Sequence, residues 1–444
     1  MARSSLLAVE SVGAFMTNFA SLSLSEPLQQ AIKEAGYVTP TPIQAQAIPV
    51  VLAEHDVLGC AQTGTGKTAA FLLPMLHRLS QAPKSKPIKG LVLSPTRELA
   101  AQIGENFMHY AKFTSLKSTV IFGGVSQDPQ VKALKRGVDV LIATPGRLLD
   151  LQGQGFIDLR HVEFFVLDEA DRMLDMGFLP DIQKLLKLLP EKRQNLLFSA
   201  TMPPDIVKLA SQFLRDPIRV EVNPESSTVE QIEQRIYYVE QNNKKYLLKE
   251  LLHTSQIKSA IVFTRTKHGA NRVSDFLEKE GITAAAIHGN KSQNARTRAL
   301  DGFRSGEITV LVATDVASRG IDVDGVSHVF NFDLPNVPES YVHRIGRTGR
   351  AGALGQAIGF CSVDEAEFLL DIEKTIAKQI PDVREHPWHC YPALERLLIL
   401  RIEGEEKSQR QSKQPTAKKG KPSFRRKPQG QGRHQGQNRQ QGRR

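Results

Sequence analysis

Residues 57–68 read Val57-Leu58-Gly59-Cys60-Ala61-Gln62-Thr63-Gly64-Thr65-Gly66-Lys67-Thr68, and this stretch decides the fold of the chain. An apolar run typical of a strand leads into a glycine-rich turn, and residues 69–73 then predict a helix. A strand, a glycine loop and a helix in this order form a phosphate-binding loop. The glycines let backbone N–H groups surround an anion, and the helix N-terminus adds partial positive charge.

The residues of this loop have separate predicted tasks. Lys67 is expected to reach the β- and γ-phosphates, and the Thr68 hydroxyl is expected to ligate Mg²⁺. An ordinary glycine turn before a helix would explain Gly64 and Gly66, but not Gly-Lys-Thr at this distance from a strand. The stretch therefore predicts a nucleoside triphosphate site. Its contacts are expected from Ala61, Gln62, Thr63, Gly64, Thr65, Gly66, Lys67 and Thr68.

Size and composition set the general class of protein. A chain of 444 residues, 40% of them hydrophobic, is long enough for two or three domains. The sequence contains no run of 18 apolar residues, so no membrane-spanning helix is expected. Cys60, Cys361 and Cys390 are odd in number and far apart, which favours reduced thiols in the cytoplasm over a disulfide framework.

The positive charge of the chain belongs to its C-terminal end. Residues 407–444 contain 13 of the 58 Lys and Arg residues and none of the 47 Asp and Glu residues, so the rest of the chain is nearly neutral. Glutamine, glycine and basic residues dominate there, with Phe424 as the single aromatic residue. Such a segment cannot bury enough apolar surface to order itself, and we expect a disordered basic tail that binds a polyanion. A merely solubilising tail is the alternative.

Short apolar runs alternate with helical stretches along most of the chain, which predicts an α/β fold with parallel sheets. Residues 25–35 form an expected helix that Ser25 caps and Gly36 ends. The first series of predicted strands comprises residues 90–94, 118–122, 138–143, 164–167 and 195–199. Residues 223–228 interrupt the pattern as a linker, and a second series comprises residues 260–264, 284–288, 310–314, 326–330 and 357–362.

The two series resemble each other. Residues 140–144 (Val-Leu-Ile-Ala-Thr) recur as residues 310–314 (Val-Leu-Val-Ala-Thr), and residues 91–93 correspond to residues 261–263 at the same separation. Equal spacing of two matched strands predicts tandem related domains. The expected organisation is an N-terminal extension (1–15), a first domain (16–222), a linker (223–230), a second domain (231–378), a helical extension (379–406) and the tail (407–444).

The two terminal regions carry weaker signals. Residues 1–15 include an acidic residue, so a plain extension is favoured over a transit peptide, with Met16 as an alternative start. Residues 393–402 predict a helix that docks on the second domain or meets a partner. His386, His389 and Cys390 are close in sequence but lack a second ligand pair, so a zinc site is not expected.

Two further groups of residues are expected to act on the phosphates. Asp168 and Glu169 follow a predicted strand, where parallel sheets place ligands. Asp168 suits Mg²⁺, and Glu169 suits orientation and deprotonation of the attacking water. Arg347 and Arg350 belong to an arginine-rich stretch of the second domain and are expected to act as arginine fingers across a cleft.

The ordered motifs identify a family. The chain resembles the DEAD-box RNA helicases of superfamily 2, and among them the bacterial RhlE type, over roughly residues 16–378. Asp-Glu-Ala-Asp at 168–171 is the motif that gives the family its name. The other matching stretches lie at residues 95–99, 123–124, 144–147, 199–201, 262–264, 293–296, 313–315, 319–322 and 343–350. The resemblance implies two tandem RecA-like domains that use ATP and Mg²⁺.

The resemblance also implies residue roles that spacing does not give. Phe19 would stack on adenine, and Gln44 would hydrogen-bond its edge. Asp322 would contact the ribose, and His343 would bridge to residues 168–171 and 199–201 in the closed cleft. Coupling of hydrolysis to duplex opening would rest on Asp171, Ser199 and Thr201. RNA would be held by Arg97, Gly124, Thr144, Arg147, Thr264, Arg296 and Thr314.

The sequence therefore predicts a cytoplasmic, RNA-dependent ATPase that opens short RNA duplexes without sequence preference. Its expected partners are RNA and, through the tail, ribonucleoprotein or RNA-decay components. An ATP-gated RNA clamp or assembly scaffold is the rival that uses the same residues. A DNA helicase and a metabolic phosphate-loop kinase are further alternatives, and the kinase leaves the arginines of the second domain unexplained.

Overall fold

The structure is a computed structural model that describes residues 18–62, 64–82, 87–222, 232–254, 257–315, 326–349 and 355–412, with side chains to residue 403. The chain divides into two units, one that ends at Leu397 and one that begins at Leu398. Both sheets described below lie before Leu397. The predicted linker at 223–230, the N-terminal extension and most of the tail lie outside the described residues.

The first sheet has seven parallel strands in the order β3-β4-β2-β5-β6-β1-β7. Its central strands are buried on both faces, as expected of a parallel sheet covered by helices. The strands are β1 (Val57–Cys60), β2 (Gly90–Leu93), β3 (Ser118–Ile121), β4 (Val140–Ala143), β5 (Phe164–Leu167), β6 (Gln194–Ser199) and β7 (Ile218–Glu221).

The second sheet repeats the first strand by strand, in the order β10-β11-β9-β12-β13-β8-β14, and all its pairs are parallel. This agreement confirms the tandem RecA-like architecture. The strands are β8 (Ile232–Tyr238), β9 (Ala260–Phe263), β10 (Ala284–Ile287), β11 (Val310–Ala313), β12 (His328–Asn331), β13 (Gly355–Cys361) and β14 (Asp382–Val383).

Helices connect the strands and cover both faces of the sheets. Short 3₁₀ turns lie at Phe19–Leu22 and Val363–Glu365. The helices of the first half are α1 (Glu26–Glu34), α2 (Pro42–Leu52), α3 (Lys67–Gln81), α4 (Arg97–Tyr110), α5 (Asp128–Lys135), α6 (Pro145–Gly153), α7 (Ala170–Asp175), α8 (Leu179–Leu186) and α9 (Pro204–Ala210). Those of the second half are α10 (Lys244–Thr254), α11 (Lys267–Lys279), α12 (Gln293–Arg304), α13 (Pro338–Ile345), α14 (Ala366–Thr375) and α15 (Tyr391–Ser412).

Alternation along the strands builds a core on each face. Within β2, Val92 joins the cluster under α1–α4, whereas Leu91 and Leu93 join the cluster under α6–α9. In β9, Val262 likewise joins the cluster on one face of the second sheet, whereas Ile261 and Phe263 join the cluster on the other face. The carboxyl ends of the strands therefore remain as rigid edges that can carry polar side chains.

The structure corrects two sequence expectations. The second sheet continues past residue 378, because Asp382 and Val383 pair with Ile236 and Tyr237 of β8. The region 379–406 is therefore part sheet edge and part helix, and the predicted helix at 393–402 lies inside α15. Ser25 occupies the N-cap of α1, but its hydroxyl makes no capping hydrogen bond, and its backbone N–H donates to His77 Nδ1 instead. Among the described residues, no helix is long and apolar enough to cross a membrane.

Candidate active site and RNA interface

The phosphate-binding loop connects β1 to α3 at the carboxyl edge of the first sheet. Gly66 is the N-cap of α3 and has a left-handed φ of 92°. A Cβ at this position would lie 2.3 Å from Gln44 Nε2, so only glycine fits. Gln44 Nε2 donates to the Gly66 carbonyl at 3.1 Å, which ties the predicted base-reading residue to the loop. Thr63 lies outside the described residues.

Lys67 is a buried ammonium group at the first residue of α3. Its Nζ donates to the Ala61 carbonyl at 2.6 Å, and the residue is 6% exposed. Burial lowers the pKa of Lys67, whereas the negative charges of Asp168 and Glu169 oppose that shift. A cation held at this depth beside a glycine loop is suited to a phosphate, which would compensate the charge.

The residue predicted to stack on adenine, Phe19, is less accessible than that prediction requires. Phe19 is 4% exposed and packs in the core, with its ring centroid 5.9 Å from that of Tyr37. Tyr37 is 38% exposed, and its hydroxyl is 3.0 Å from the hydroxyl of Tyr110 at the end of α4. Of these two contacting rings, that of Tyr37 is the exposed one, and the sequence did not indicate it.

Asp168 and Glu169 lie directly after β5, next to the loop. Burial raises the pKa of Asp168 to about 7, and Lys67 opposes the shift. Burial also favours the neutral form of Glu169, but Arg172, Lys67 and Arg347 together hold the pKa of Glu169 below its ordinary value. Glu169 adopts a left-handed φ of 51°, and its Oε2 accepts a hydrogen bond from Arg172 Nη1 at 2.6 Å. Backbone strain of this kind persists where surrounding contacts enforce it.

Asp171 joins the Asp-Glu-Ala-Asp segment to residues 199–201. Its Oδ2 accepts hydrogen bonds from the backbone N–H groups of Ala200 and Thr201 and from the Thr201 hydroxyl, at 3.2, 2.9 and 3.0 Å. The Asp171 N–H donates to Ser199 Oγ at 3.2 Å. The structure thus brings together the three residues that the family resemblance assigns to coupling.

Arg347 of the second half approaches this cluster from the other sheet. It is 3% exposed, and its charge contributes to the lowered pKa of Glu169. His343 lies on α13, one turn before Arg347, and is half-buried. The predicted finger Arg350 and the predicted ribose contact Asp322 lie outside the described residues.

A second site lies at the same edges of the sheets. A cavity of about 510 Å³ is lined by residues of both halves, including Arg97, Thr144, Arg147 and Arg296. Arg97 packs on Gly124, where an added Cβ would lie 2.2 Å from the guanidinium group. Arg147 Nη2 donates to the Val125 carbonyl at 3.1 Å, whereas its buried Nη1 has no hydrogen-bond partner. An unpaired buried donor of this kind suits an anionic ligand in the cavity.

A buried ion pair connects the two sheets at this cavity. Glu98, at the start of α4, accepts from Gln293 Nε2 at 3.0 Å and pairs with Arg296 Nη2 at 3.0 Å. Both charged side chains are less than 10% exposed. Arg296, predicted to bind RNA, therefore also holds the two halves together. The remaining predicted RNA residues, Thr264 and Thr314, follow β9 and β11 and are buried.

Sequence reasoning missed Arg172, Glu98 and Tyr37 as functional residues. The sequence could have indicated Arg172, because it lies three residues after Glu169, and charges at this spacing pair on a helix. Glu98 and Tyr37 carry no such signal, since their partners are distant in the sequence.

Mg²⁺ is implied by the triphosphate chemistry, and the residues present fit it. A buried carboxyl on Asp168 and a half-buried hydroxyl on Thr68 provide the oxygen ligands that this cation prefers. Burial of Asp168 next to the loop is costly unless a cation compensates its charge.

Comparisons with known proteins agree with this geometry. The DEAD/DEAH box helicase family matches residues 41–209, and the helicase conserved C-terminal domain matches residues 243–352. The DEAD-box ATP-dependent RNA helicase CshA of Geobacillus kaustophilus is 45% identical over 82% of this chain and 78% of its own length. The ATP-dependent RNA helicase CshA of Listeria monocytogenes is 42% identical over 84% of this chain and 71% of its own length.

A solved structure extends the likeness to the fold. S. cerevisiae Dbp5 bound to RNA and ADP BeF3 superimposes with a TM-score of 0.74 at 33% identity. The match covers 83% of this chain and 95% of that chain.

Proposed function

The chain belongs to the DEAD-box ATP-dependent RNA helicases, and we propose that ATP and single-stranded RNA together close its two sheets into the hydrolytic state. It is an ATP-hydrolysing enzyme that acts on RNA. The observation that carries the proposal is the position of Arg347, whose charge reaches Glu169 from the opposite half of the molecule. Hydrolysis then depends on the arrangement of both halves.

The loop between β1 and α3 holds the triphosphate. Lys67 neutralises the β- and γ-phosphates, while backbone N–H groups from 61 to 66 surround them. Gln44 recognises the adenine edge, and its hydrogen bond to the Gly66 carbonyl connects it to the loop. Tyr37 offers the exposed ring surface for the base, and Phe19 supports that ring from the core.

Thr68 and Asp168 would hold Mg²⁺, which neutralises phosphate charge when bound. Glu169 acts on the attacking water. Because its pKa is lowered and Arg172 fixes its carboxylate, Glu169 is built to orient the water as a charged acceptor. Arg347, with Arg350 as the second predicted finger, stabilises charge on the transferred phosphoryl group.

RNA occupies the 510 Å³ cavity and the strand ends beside it. Arg97, Gly124, Thr144 and Arg147 contact phosphates from the first half, and Thr264, Arg296 and Thr314 contact them from the second. Such contacts carry no base information, so binding is independent of sequence. RNA binding and the Glu98–Arg296 pair favour the same closed arrangement, which places Arg347 at the phosphates.

Glu169→Gln tests this assignment. The neutral amide keeps the size of the side chain but removes the charge that orients water, so we expect hydrolysis to fall by about 10²–10⁴-fold. Binding of ATP and RNA, measured by fluorescence anisotropy, should change little. Glu163→Gln is the matched control, because the side chain of Glu163 is 51% exposed and pairs with Lys89. Normal turnover by Glu169→Gln would remove Glu169 from the mechanism.

Strand release separates a helicase from a clamp. A short RNA duplex with a labelled strand should lose that strand when ATP is added, and the Glu169→Gln variant should hold RNA without releasing strands. Retention of RNA by the normal protein, with no strand release at saturating ATP, would favour the clamp.

The tail is proposed as an additional RNA-binding segment or a contact for RNA-processing partners. Deletion of residues 407–444 should weaken RNA binding and flatten its dependence on salt, since fewer counterions are released. An unchanged salt slope would assign the tail to solubility alone. The matched relatives carry the name CshA, so the RhlE type stays a prediction. A cytoplasmic location is supported by the free thiols of Cys60, Cys361 and Cys390.

A further inference from the structure

Arg344 is a buried cation that joins three neighbouring strand ends of the second sheet. It is 2% exposed and lies on α13. Its Nε and Nη2 donate to the two carboxylate oxygens of Asp315 at 2.6 and 2.8 Å. Its Nη1 donates to Asn331 Oδ1 at 3.0 Å and to the Asp333 carbonyl at 2.6 Å. The guanidinium carbon lies 5.1 Å from the ring centroid of Phe263.

These contacts place Arg344 between the RNA-facing and the ATP-facing residues. Asp315 directly follows Thr314, and Phe263 directly precedes Thr264, so two proposed RNA contacts are next to atoms that Arg344 touches. Arg347 follows Arg344 by three residues and is the second residue after α13 ends. A displacement of Arg344 therefore displaces the backbone that positions Arg347.

Of the two paired residues, Asp315 is the one whose position can change. Its side chain is 29% exposed, whereas that of Arg344 is 2% exposed, so Asp315 reaches both the interior and the surface beside Thr314. The two parallel hydrogen bonds fix the guanidinium plane relative to the carboxylate. Separating the pair would leave a buried charge unpaired, so Arg344 must follow Asp315 when that segment moves.

We propose that Arg344 is a positioning residue that transmits RNA contact at Thr314 to the placement of Arg347 at the phosphates. The proposal rests on the RNA-dependent ATPase function above. RNA stabilises the segment of Asp315, Asp315 fixes the plane of Arg344, and Arg344 fixes the end of α13 from which Arg347 projects.

A neighbouring buried lysine shows what a purely structural cation does in this half of the molecule. Lys244 pairs with Glu365 at 2.6 Å and with Asp333 at 3.5 Å, and it is fully buried. Neither carboxylate is next in sequence to one of the proposed RNA threonines, although Asp333 Oδ2 accepts from the backbone N–H of Arg265 beside Thr264, and Glu365 is 2% exposed. The Arg344–Asp315 pair differs because one of its members is next to a ligand-contact residue and partly exposed.

The test compares Arg344→Lys, Asp315→Asn and the double variant in the full chain. Arg344→Lys keeps the charge but loses the two-pronged contact. ATP hydrolysis is measured against single-stranded RNA concentration, and ATP-analogue binding is measured without RNA. Asn331→Ala is the matched control, because it removes one contact of Arg344 while the Asp315 contact remains.

Each single variant should lower RNA-stimulated kcat by about 10–100-fold, as expected for a misplaced catalytic group. It should also raise the RNA concentration needed for half-stimulation. Nucleotide binding without RNA should stay within about 2-fold, the double variant should lose no more than either single variant, and Asn331→Ala should lose less than about 3-fold.

Other outcomes would overturn the proposal. Additive losses in the double variant would mean that Arg344 and Asp315 act separately. Equal losses in Asn331→Ala, or in RNA-free nucleotide binding, would show that Arg344 merely supports the fold. If hydrolysis by the unmodified protein does not respond to RNA, the proposed function itself fails, and the coupling fails with it. RNA stimulation in the unmodified protein together with full stimulation in Arg344→Lys refutes only the coupling.

Discussion

The two sheets have the same strand order, yet a lysine at the equivalent position has opposite roles in each. Lys67 begins α3 after β1, and Lys244 begins α10 after β8. Both are buried. Lys67 donates to a backbone carbonyl, whereas Lys244 pairs with two carboxylates, Glu365 and Asp333.

The difference lies in the connections that precede the two helices. Residues 61–66 contain Gly64 and Gly66, both in the left-handed region, and so form a loop that can surround a phosphate. Residues 239–243 contain no glycine and form a tight turn in which Lys244 N–H donates to the Glu240 carbonyl. Burial would raise the pKa of Asp333, but Lys244 and Arg265 contribute to holding it below its ordinary value. One half therefore keeps its lysine available for a ligand, and the other uses its lysine for stability.

The largest expected effect comes from the arginine that the second half supplies to the first. Arg347→Ala should lower RNA-stimulated kcat by about 10³–10⁵-fold, as for other arginine fingers, while ATP binding changes only a few-fold. Steady-state hydrolysis and anisotropy measure the two quantities. Arg235→Ala is the control, since Arg235 makes an exposed pair with Glu233. Equal losses of binding and hydrolysis would contradict the cross-sheet role.

The same substitution at the two lysines should have different effects in the two halves. Lys67→Met should abolish ATP-dependent activity and leave the urea midpoint nearly unchanged. Lys244→Met should lower the free energy of unfolding by about 3–5 kcal/mol, because it leaves buried carboxylates unpaired. Circular dichroism during urea unfolding separates the two effects. If Lys67→Met were destabilised and Lys244→Met were not, Lys67 would be the stabilising lysine, and the two assigned roles would be wrong.

A smaller effect is expected at the contact between residues 168–171 and 199–201. Asp171→Asn replaces a charged acceptor of three hydrogen bonds by an amide. Hydrogen bonds to charged groups contribute about 1.5–3 kcal/mol, so strand release should fall by about 10-fold or more. Hydrolysis should fall much less. Parallel losses of strand release and hydrolysis would show that Asp171 serves catalysis as a whole.

The smallest expected effect is a difference in acid stability between the halves. Burial is the main cause that lowers the pKa of His288, His328, His386 and His389 in the second half, and of His77 in the first. A histidine with a lowered folded-state pKa contributes stability above about pH 6.5, and this contribution is lost as the pH falls.

The second half should therefore lose more protection from hydrogen exchange between pH 7.5 and pH 5.5. For the double variant His386→Gln and His389→Gln, we expect a Tm decrease over this pH range that is about 2 °C smaller, because glutamine cannot take up the protons that the two imidazoles bind at low pH. An equal loss of hydrogen-exchange protection in the two halves over this pH range would contradict the prediction.

Much of the fold follows from the sequence because the central strands are short apolar runs bounded by turn residues. Eleven predicted strands, namely the one before the glycine loop and the ten of the two series, have counterparts in the structure. β7, β8 and β14 were not predicted, although Ile232, Gln234 and Ile236 of β8 alternate with exposed residues. These strands lie at or near one edge of each sheet, where burial is incomplete and the apolar signal is weaker.

The candidate site was predictable where residues are local in sequence. Gly66 and Lys67 end the loop that follows β1, and Asp168 and Glu169 follow β5 directly, so the strand pattern positions them. Contacts such as Glu98 with Arg296 or Arg344 with Asp315 join distant segments, and no single-chain pattern indicates them. The core position of Phe19 likewise depends on tertiary packing, which a family motif does not describe.

RNA should bring the arginine of one half to the phosphates held by the other. ATP hydrolysis by the purified protein measures this dependence without nucleic acid, with single-stranded RNA, and with single-stranded DNA of the same sequence. Glu169→Gln serves as the blank. Strong stimulation by RNA alone is expected. Hydrolysis at the same rate under all three conditions would contradict it, and equal stimulation by DNA would contradict RNA as the specific ligand.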